Sequence, residues 1–350
     1  MILLNNMSHK TFSEIDLNDT FFQSLKDDYP GFEDWFYRKR DQDAFVQYDN
    51  KNVVGFLYLK VENDEVDDVT PPICASKILK VGTFKIDAHG TKLGEQFLKV
   101  IADYAINEDV DVCYVTIYPK HKKLIQLVEQ FGFEYYGKKG KGQLEENVYL
   151  KRMRNMSGDI NKDFPRINLN QTRKYLMSIY PKYHSVMFPD SILTTENKNI
   201  ITDISFTNSI HKIYVCSMNN VENLRYGDVV VLYRTAEYGR SAEYSAVATS
   251  ICVVEEVKQQ GEFGSFEEFY EYASQYSVFD KSDLYYWYNR GGCKAIKLTY
   301  NAALKKRIVR HDLIEELGLE REIYWGFFRL TDEQFLKICQ KGDVKNYLSF

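Results

Sequence analysis

A short turn between a strand-like run and a helix-like run has the composition of an anion-binding site. Residues 87–94 read DAHGTKLG; an apolar, β-branched run precedes them, and apolar residues at helical spacing follow. The first backbone N–H groups of a helix lack intrahelical partners, and glycine lets a ligand approach the backbone closely. Phosphate groups bind at such helix ends, and Lys92 adds a positive charge. The turn is a candidate phosphate cradle, with an ordinary strand-to-helix connection as the alternative.

The elements around this turn alternate between strand and helix. A strand is predicted before it and a long helix after it, over residues 93–105. A second buried strand follows at 109–118, then a helix at 122–133 that reaches Gly132 at its end, then an alternating strand at 145–153. Upstream, the patterns predict a first strand, two short amphipathic helices and a β-hairpin.

This order of elements resembles the GCN5-related N-acetyltransferase (GNAT) superfamily over residues ~8–153. In that family the turn before the long helix binds the pyrophosphate of acetyl-CoA, and the edge of the preceding strand pairs with the pantetheine arm. Of the family's turn motif, Gly94 is present, whereas His89 replaces an arginine or glutamine and Lys92 replaces a glycine. The cofactor-binding residues that the resemblance implies are Thr83, Phe84, Lys85, Ile86, His89, Gly90, Thr91, Lys92, Leu93, Gly94 and Glu95.

Acetyl transfer from a thioester to an amine needs a base for the amine proton, donors for the oxyanion and an acid for the leaving thiolate. Many GNAT enzymes use a tyrosine as this acid, and Val128 occupies the matching position here. We therefore predict Tyr118 or Tyr136 as the acid and Asp87 as the base, with packing roles as the alternative. Tyr135, Glu95 and His121 are further candidates, and orientation of the substrates alone could also lower the barrier.

Composition limits the class of protein. The chain has 350 residues, enough for two domains, and a hydrophobic fraction of 44%, as globular proteins have. No apolar run approaches the length of a membrane span, and the apolar part of the opening MILLNNMSHK is too short for a signal peptide, so we predict a cytoplasmic protein. Six scattered cysteines without CxxC spacing argue against zinc and against a disulfide framework. A net charge of −5 argues against nonspecific nucleic-acid binding by bulk charge.

A composition change after residue 154 predicts a domain boundary. We predict a first domain at 1–154, a linker and packing segment at 155–204 and a second domain at 205–350. The second half reads as several strands with short helices between them, typical of a compact barrel. Residues ~205–342 resemble PUA-like barrels of the ASCH/EVE type, a superfamily that commonly binds RNA or modified bases. The expected fold is α+β: a GNAT-like mixed sheet with flanking helices, then a mostly β PUA-like barrel.

Two aromatic stretches with arginines in the second half suit base stacking and phosphate contact. YRTAEYGRSAEY spans 233–244 and DLYYWYNRGG spans 283–292. Core or interface packing is the alternative for these aromatics. The predicted nucleic-acid contacts are Tyr233, Arg234, Arg240 and Arg290.

The sequence thus favours an acetyl-CoA-dependent N-acetyltransferase. Its acceptor is expected to be RNA, or a nucleic-acid-associated protein, presented by the second domain. The rival is a nonenzymatic RNA-binding or regulatory protein whose first domain only senses acyl-CoA or acts as a scaffold. Val128 and Lys92 favour this rival because both depart from the transferase pattern.

Overall fold

The computed structural model describes residues 7–87, 90–191, 193 and 205–350. The chain divides into two units, Met1–Arg154 and Asn155–Phe350. No helix among the described residues is long and apolar enough to cross a membrane.

The first unit is an eight-stranded sheet with helices on both faces. Its strand order is β1-β2-β3-β5-β6-β8-β7-β4. The strands are β1 Met7–Thr11, β2 Asp43–Asp49, β3 Asn52–Glu62, β4 Val69–Thr70, β5 Ile78–Ile86, β6 Val112–Ile117, β7 Glu134–Lys139 and β8 Glu146–Arg152. The helices are α1 Gln23–Asp28, α2 Phe32–Arg38, α3 Leu93–Asn107 and α4 Lys122–Gln130. The predicted strand, turn, long helix, strand, helix and strand are all present; the two-residue strand β4 and the six-residue strand β7 were not predicted.

Alternation along β3 explains how both faces of this sheet are covered. Phe56 packs with Phe22 and Phe36 in an aromatic cluster on the side of α1 and α2. The neighbouring residue, Gly55, faces the other way, where a Cβ would lie 2.6 Å from Cζ of Phe97 in α3. Successive residues of a strand point to opposite faces, so one strand contributes to both cores. The helix pairs therefore lie on opposite sides of the sheet.

The second unit contains a six-stranded mixed sheet of order β11-β14-β13-β12-β10-β15 and a two-stranded pair, β16-β9. Its strands are β9 Ile167–Asn168, β10 Lys174–Ile179, β11 His211–Cys216, β12 Val229–Arg234, β13 Val247–Gln259, β14 Lys294–Val309, β15 Phe327–Leu330 and β16 Leu348–Ser349. Its helices are α5 Ile160–Asp163, α6 Pro181–Met187, α7 Ser205–Asn208, α8 Ala242–Ser245, α9 Phe266–Ser274, α10 Lys281–Arg290, α11 Arg310–Glu315 and α12 Asp332–Lys341.

One sequence prediction for this unit needs correction. Within the described residues β11 and β15 each pair with one neighbour, so the sheet keeps two edges and does not close into a barrel. The predicted linker and packing segment, residues 155–204, contributes β10, which pairs parallel to β12 and antiparallel to β15. The general α+β class is confirmed. Strand pairing depends on partners far apart in sequence, and local periodicity does not contain that information.

Candidate functional site

The central parallel strands of the first unit separate part of the way along. β5 and β6 pair as far as Val81 and Val115, whereas β5 continues to Ile86. The register between β5 and β3 shifts at this point and leaves Gly82 unpaired beside Tyr58. A bulge of this kind bends a strand and increases its twist. It coincides with the end of the pairing between β5 and β6, and the space between their unpaired continuations is called the gap below.

One edge of this gap is formed by backbone groups of β5. The N–H of Asp87 donates to the carbonyl of Val54, 2.8 Å away on the side of β3. Because backbone groups alternate in direction along a strand, the N–H and C=O groups of Phe84 and Ile86 face the opposite side, toward the gap. Such an edge can pair with an extended ligand that carries amides.

Thr83 and Lys85, the other two residues of β5 predicted to bind the cofactor, do not direct their backbone groups toward the gap. By the same alternation, the backbone groups of Thr83 and Lys85 face β3. The Lys85 ammonium donates to the carbonyl of Phe21, and burial lowers its pKa. Lys85 therefore fixes the 3-10 helix Thr20–Phe22 against β5. Its role as a cofactor contact stays a prediction.

The turn after β5 enters α3 through two left-handed residues. Gly90 has φ 85° and Lys92 has φ 56°, and Lys92 is the N-cap of α3 without making a side-chain cap. The N–H of Glu95 donates to the Lys92 carbonyl at 3.0 Å and begins the helix. Gly90, Thr91 and Lys92 thus form the approach to the helix N-terminus beside the gap. His89, also predicted to bind the cofactor, lies outside the described residues.

Gly94 has a packing role that the sequence analysis did not include. A Cβ at this position would lie 2.8 Å from Cδ2 of Leu127 and 3.1 Å from Cδ1 of Ile86. The glycine therefore allows α3 to lie against both α4 and β5. Leu93, its neighbour, is also buried. These two residues position the turn, and contact with a ligand would fall to the residues before them.

Tyr118 directly follows β6, beyond the end of its pairing with β5. The side chain is buried, its ring lies 5.0 Å from that of Tyr29, and its hydroxyl donates to the carbonyl of Asp28 at 3.4 Å. Burial raises the pKa of Tyr118, and the negative charges of Glu146 and Asp28 raise it further. The hydroxyl is protonated at neutral pH and could donate a proton.

A buried carboxylate lies across from Tyr118. The register of β6 and β8 pairs Ile117 with Asn147, and its continuation places Glu146 opposite Tyr118. Oε1 of Glu146 accepts a hydrogen bond from the Tyr29 hydroxyl at 2.8 Å. Within the described chain no side chain or backbone group donates to Oε2 of Glu146. Burial and the Glu146 charge raise the pKa of Tyr29, so this tyrosine remains a donor to the carboxylate.

Asp28 connects Tyr118 to Lys120 and His121 in the loop between β6 and α4. Its carboxylate accepts a hydrogen bond from Lys120, and its Oδ2 lies 3.6 Å from Nε2 of His121. The end of α1, the end of β6 and the start of β8 therefore meet in one cluster of acids, tyrosines and cations. The cluster contains both proton donors and proton acceptors, as acyl transfer to an amine requires.

The other predicted catalytic residues lie elsewhere. Tyr136 belongs to β7, which β8 separates from β6, and its hydroxyl donates to the carbonyl of Pro72 at 2.7 Å. Asp87 is exposed at the end of β5. Val128, at the position of the usual tyrosine acid, is buried in the core. Of the predicted acids and bases, Tyr118 and the further candidate His121 lie in the cluster that Tyr29, Glu146 and Asp28 form, called the Tyr29–Glu146 cluster below. Neither Tyr29 nor Glu146 was predicted.

The predicted nucleic-acid contacts of the second unit divide into buried and exposed residues. Tyr233 and Arg234 lie inside β12 and are buried. Arg234 pairs with Glu237 at 2.9 Å. Arg240 is exposed in the following turn, and Arg290 ends α10 exposed, with its guanidinium carbon 5.8 Å from the centroid of the Trp287 ring.

No protein family matches the chain, and no curated protein is significantly similar to it in sequence. Solved structures similar to parts of it include GNAT acetyltransferases and ASCH proteins. The ASCH protein of Zymomonas mobilis matches with a TM-score of 0.34 and 9% identity, covering 48% of this chain and 94% of that one.

Two acetyltransferases match a similar share of the chain. A GNAT family acetyltransferase from Elizabethkingia anophelis, solved with acetyl-CoA bound, has a TM-score of 0.30 and 11% identity, and the match covers 42% of this chain and 99% of that one. A GNAT acetyltransferase from Streptococcus agalactiae has a TM-score of 0.32 and 13% identity, covering 43% and 98%. Similarities of this size support no conclusion about what the chain binds or does.

Proposed function

We propose that the first unit is an acyl-CoA-dependent N-acetyltransferase of the GNAT type. The observation that carries the proposal is the divergence of β5 from β6 beyond Val81 and Val115, with the N-terminus of α3 beside the gap. An extended pantetheine arm fits such a gap, because the backbone groups of Phe84 and Ile86 can pair with its amides. The pyrophosphate would lie at residues 90–92, where the helix N-terminus and the Lys92 charge favour an anion.

The acid and base of the reaction come from the Tyr29–Glu146 cluster. Glu146 accepts the proton that the amine loses as its nitrogen bonds to the acetyl carbon. As the carbon–sulfur bond breaks, Tyr118 gives its proton to the thiolate. Tyr29 orients the Glu146 carboxylate through their hydrogen bond of 2.8 Å. Both transfers require the reacting atoms within hydrogen-bond distance of these side chains.

The acceptor in this proposal is RNA or a nucleic-acid-associated protein that the second unit binds. Arg240 and Arg290 support this because both are exposed and the Arg290 guanidinium lies beside the Trp287 ring. We place the reaction in the cytoplasm, where the free thiols, five of the six buried, remain reduced.

A nonenzymatic role is the second candidate. The buried Val128 and the left-handed Lys92 favour it, because one removes the usual acid and the other puts a side chain where the family has glycine. A sensor of this kind would bind acetyl-CoA without releasing the CoA thiol in the presence of amines. Thiol release in the presence of poly-L-lysine or total cellular RNA therefore distinguishes the two functions.

Reversing the charge of the turn should weaken cofactor binding. Lys92→Glu is expected to raise the Kd for acetyl-CoA by about tenfold or more, because a carboxylate would repel the pyrophosphate. Isothermal titration calorimetry at low ionic strength measures the change. Lys51→Glu, the same change in the exposed turn between β2 and β3, is the control and should bind as the wild type does. Failure of the wild type to bind millimolar acetyl-CoA would eliminate the transferase proposal.

A further inference from the structure

The pairing of β13, a central strand of the second unit's sheet, is interrupted at Thr249. Ala248 and Ser250 pair with consecutive residues of β12, so Thr249 has no partner in that ladder. On the side of β14, Ala248 pairs with Ile308 and Ser250 pairs with Ala303. Residues 304–307 of β14 therefore have no partner in the ladder with β13. Bulges redirect side chains and are frequent beside binding sites. This double irregularity removes four residues of β14 from the sheet next to Thr249.

A buried network of polar side chains surrounds the bulge. Nε2 of His184 lies 2.7 Å from the Thr249 hydroxyl, and the Ser191 hydroxyl lies 2.6 Å from that of Ser250 and 3.0 Å from that of Tyr300. Each of these five residues is at most 1% exposed. Buried polar groups cost stability unless each finds a partner, so a network of this size needs full satisfaction. One polar group of this network has no hydrogen-bond partner among the described residues.

The unsatisfied group in the network is the second ring nitrogen of His184. Nδ1 is buried and has no hydrogen-bond partner among the residues that the structure describes, whereas Nε2 is bound to Thr249. Burial, together with the charges of Arg234 and Arg307, lowers the pKa of His184 to about 3. The imidazole is therefore neutral. The Thr249 hydroxyl has two acceptors for its hydrogen, Nε2 of His184 at 2.7 Å and the Leu232 carbonyl at 3.4 Å. In the arrangement in which the hydrogen goes to the nearer Nε2, Nδ1 carries the ring proton and is a free donor.

A guanidinium without a carboxylate partner lies beside the same network. Arg307 belongs to the four residues that leave the β14 ladder, and its Nη2 donates to the carbonyl of Asp190 at 2.7 Å. Asp190 directly precedes Ser191, which brings the guanidinium to the hydroxyl cluster. Nε of Arg307 is buried without a partner, and Arg307 forms no ion pair within the described residues. Burial lowers its pKa, as expected for a cation removed from water.

We propose that His184, Ser191, Thr249, Tyr300 and Arg307 form a binding site for the oxyanion group of a small ligand, a carboxylate or a phosphate. The planar guanidinium suits either group, because it donates in a fork that matches two oxygens. Nδ1–H of His184 and the hydroxyls provide neutral donors around the remaining oxygens. The negative charge of the ligand would compensate the charge of Arg307. Arg234, the second guanidinium near His184, already has Glu237. This site is independent of acetyl transfer.

The test titrates the full-length protein with inorganic phosphate and, separately, with acetate, at an ionic strength held constant with chloride. Saturable binding in calorimetry and a rise in Tm are expected for at least one anion. The anion that binds more tightly shows whether the site prefers a phosphate or a carboxylate. Arg307→Gln should weaken that binding by about tenfold or more, since it removes both the charge and the fork. Lys306→Gln removes the same charge from an exposed neighbour and should bind as the wild type does.

A second readout keeps the proposal testable if Arg307→Gln does not fold. Nitrogen NMR of the wild type reports which ring nitrogen of His184 carries the proton. Addition of the binding anion should increase the population of the Nδ1–H form, because the anion accepts from that group. Absence of saturable binding of both anions by the wild type, or equal binding by a folded Arg307→Gln, would overturn the proposal. An unchanged His184 tautomer at saturation would also overturn it.

Discussion

Glu146→Gln is expected to lower the rate of acetyl transfer by about 10²- to 10³-fold and to leave the affinity for acetyl-CoA unchanged. The substitution preserves the shape of the side chain and its acceptor for the Tyr29 hydroxyl, but it removes the carboxylate that takes the amine proton. The effect should appear in kcat, because the proton leaves the amine as the bond forms. CoA thiol release with poly-L-lysine as the acceptor measures the rate, and calorimetry measures the affinity.

The neighbouring residue provides a matched control. Glu145 pairs with Lys138 on the surface, so Glu145→Gln makes the same chemical change one residue away and should keep the wild-type rate. Tyr29→Phe removes the hydrogen bond that orients the carboxylate and should cost less, about tenfold. If Glu146→Gln retained the wild-type kcat at every pH, the base would have to be another group or solvent. The transferase proposal itself would survive that result, because it depends on thiol release by the wild type.

The second unit is expected to lose stability as the pH falls from 7 to 5. His184 has a pKa of about 3 in the folded protein, against 6.5 for an ordinary histidine, because burial and two nearby guanidiniums oppose its protonation. The unfolded chain therefore binds a proton that the folded chain does not. The contribution of His184 to stability is complete above pH 6.5 and is lost as the pH falls toward 3. Between pH 7 and pH 5 the expected loss is about 2 kcal/mol.

Urea unfolding at several pH values measures this loss. In a Trp35→Phe background, the tryptophan fluorescence comes from Trp287 and Trp325, both in the second unit. His184→Gln should lower the stability at pH 7 and flatten its pH dependence, whereas His121→Gln, which changes a half-exposed histidine of the first unit, should leave the slope unchanged. The interval above pH 5 also avoids Glu255, whose pKa of about 2 affects stability only at lower pH. An equal slope in wild type and His184→Gln would show that His184 does not cause it.

Local patterns in the sequence determined most elements of the first unit. The strand before the turn, the long helix after it and the strand that follows are predicted by periodicity alone, because hydrophobic residues repeat with the geometry of each element. The left-handed Gly132 that follows α4 was predicted from the same kind of local chemistry. The candidate anion-binding turn could be recognised in the sequence because its two glycines and its lysine lie within the five residues 90–94.

Only the tertiary structure decided which side chains meet at the candidate sites. Glu146 and Tyr29 are 117 residues apart, and the sheet register that places Glu146 opposite Tyr118 depends on strand pairing. The same reason explains the error in the second unit, where the described strands form a sheet with two edges instead of a closed barrel. The segment predicted as a linker and packing segment supplies the strand between β12 and β15. The network around Thr249 follows from a bulge, which changes register without leaving a local signature in sequence. Periodicity specifies which face of an element is buried, whereas long-range packing specifies what that face contacts.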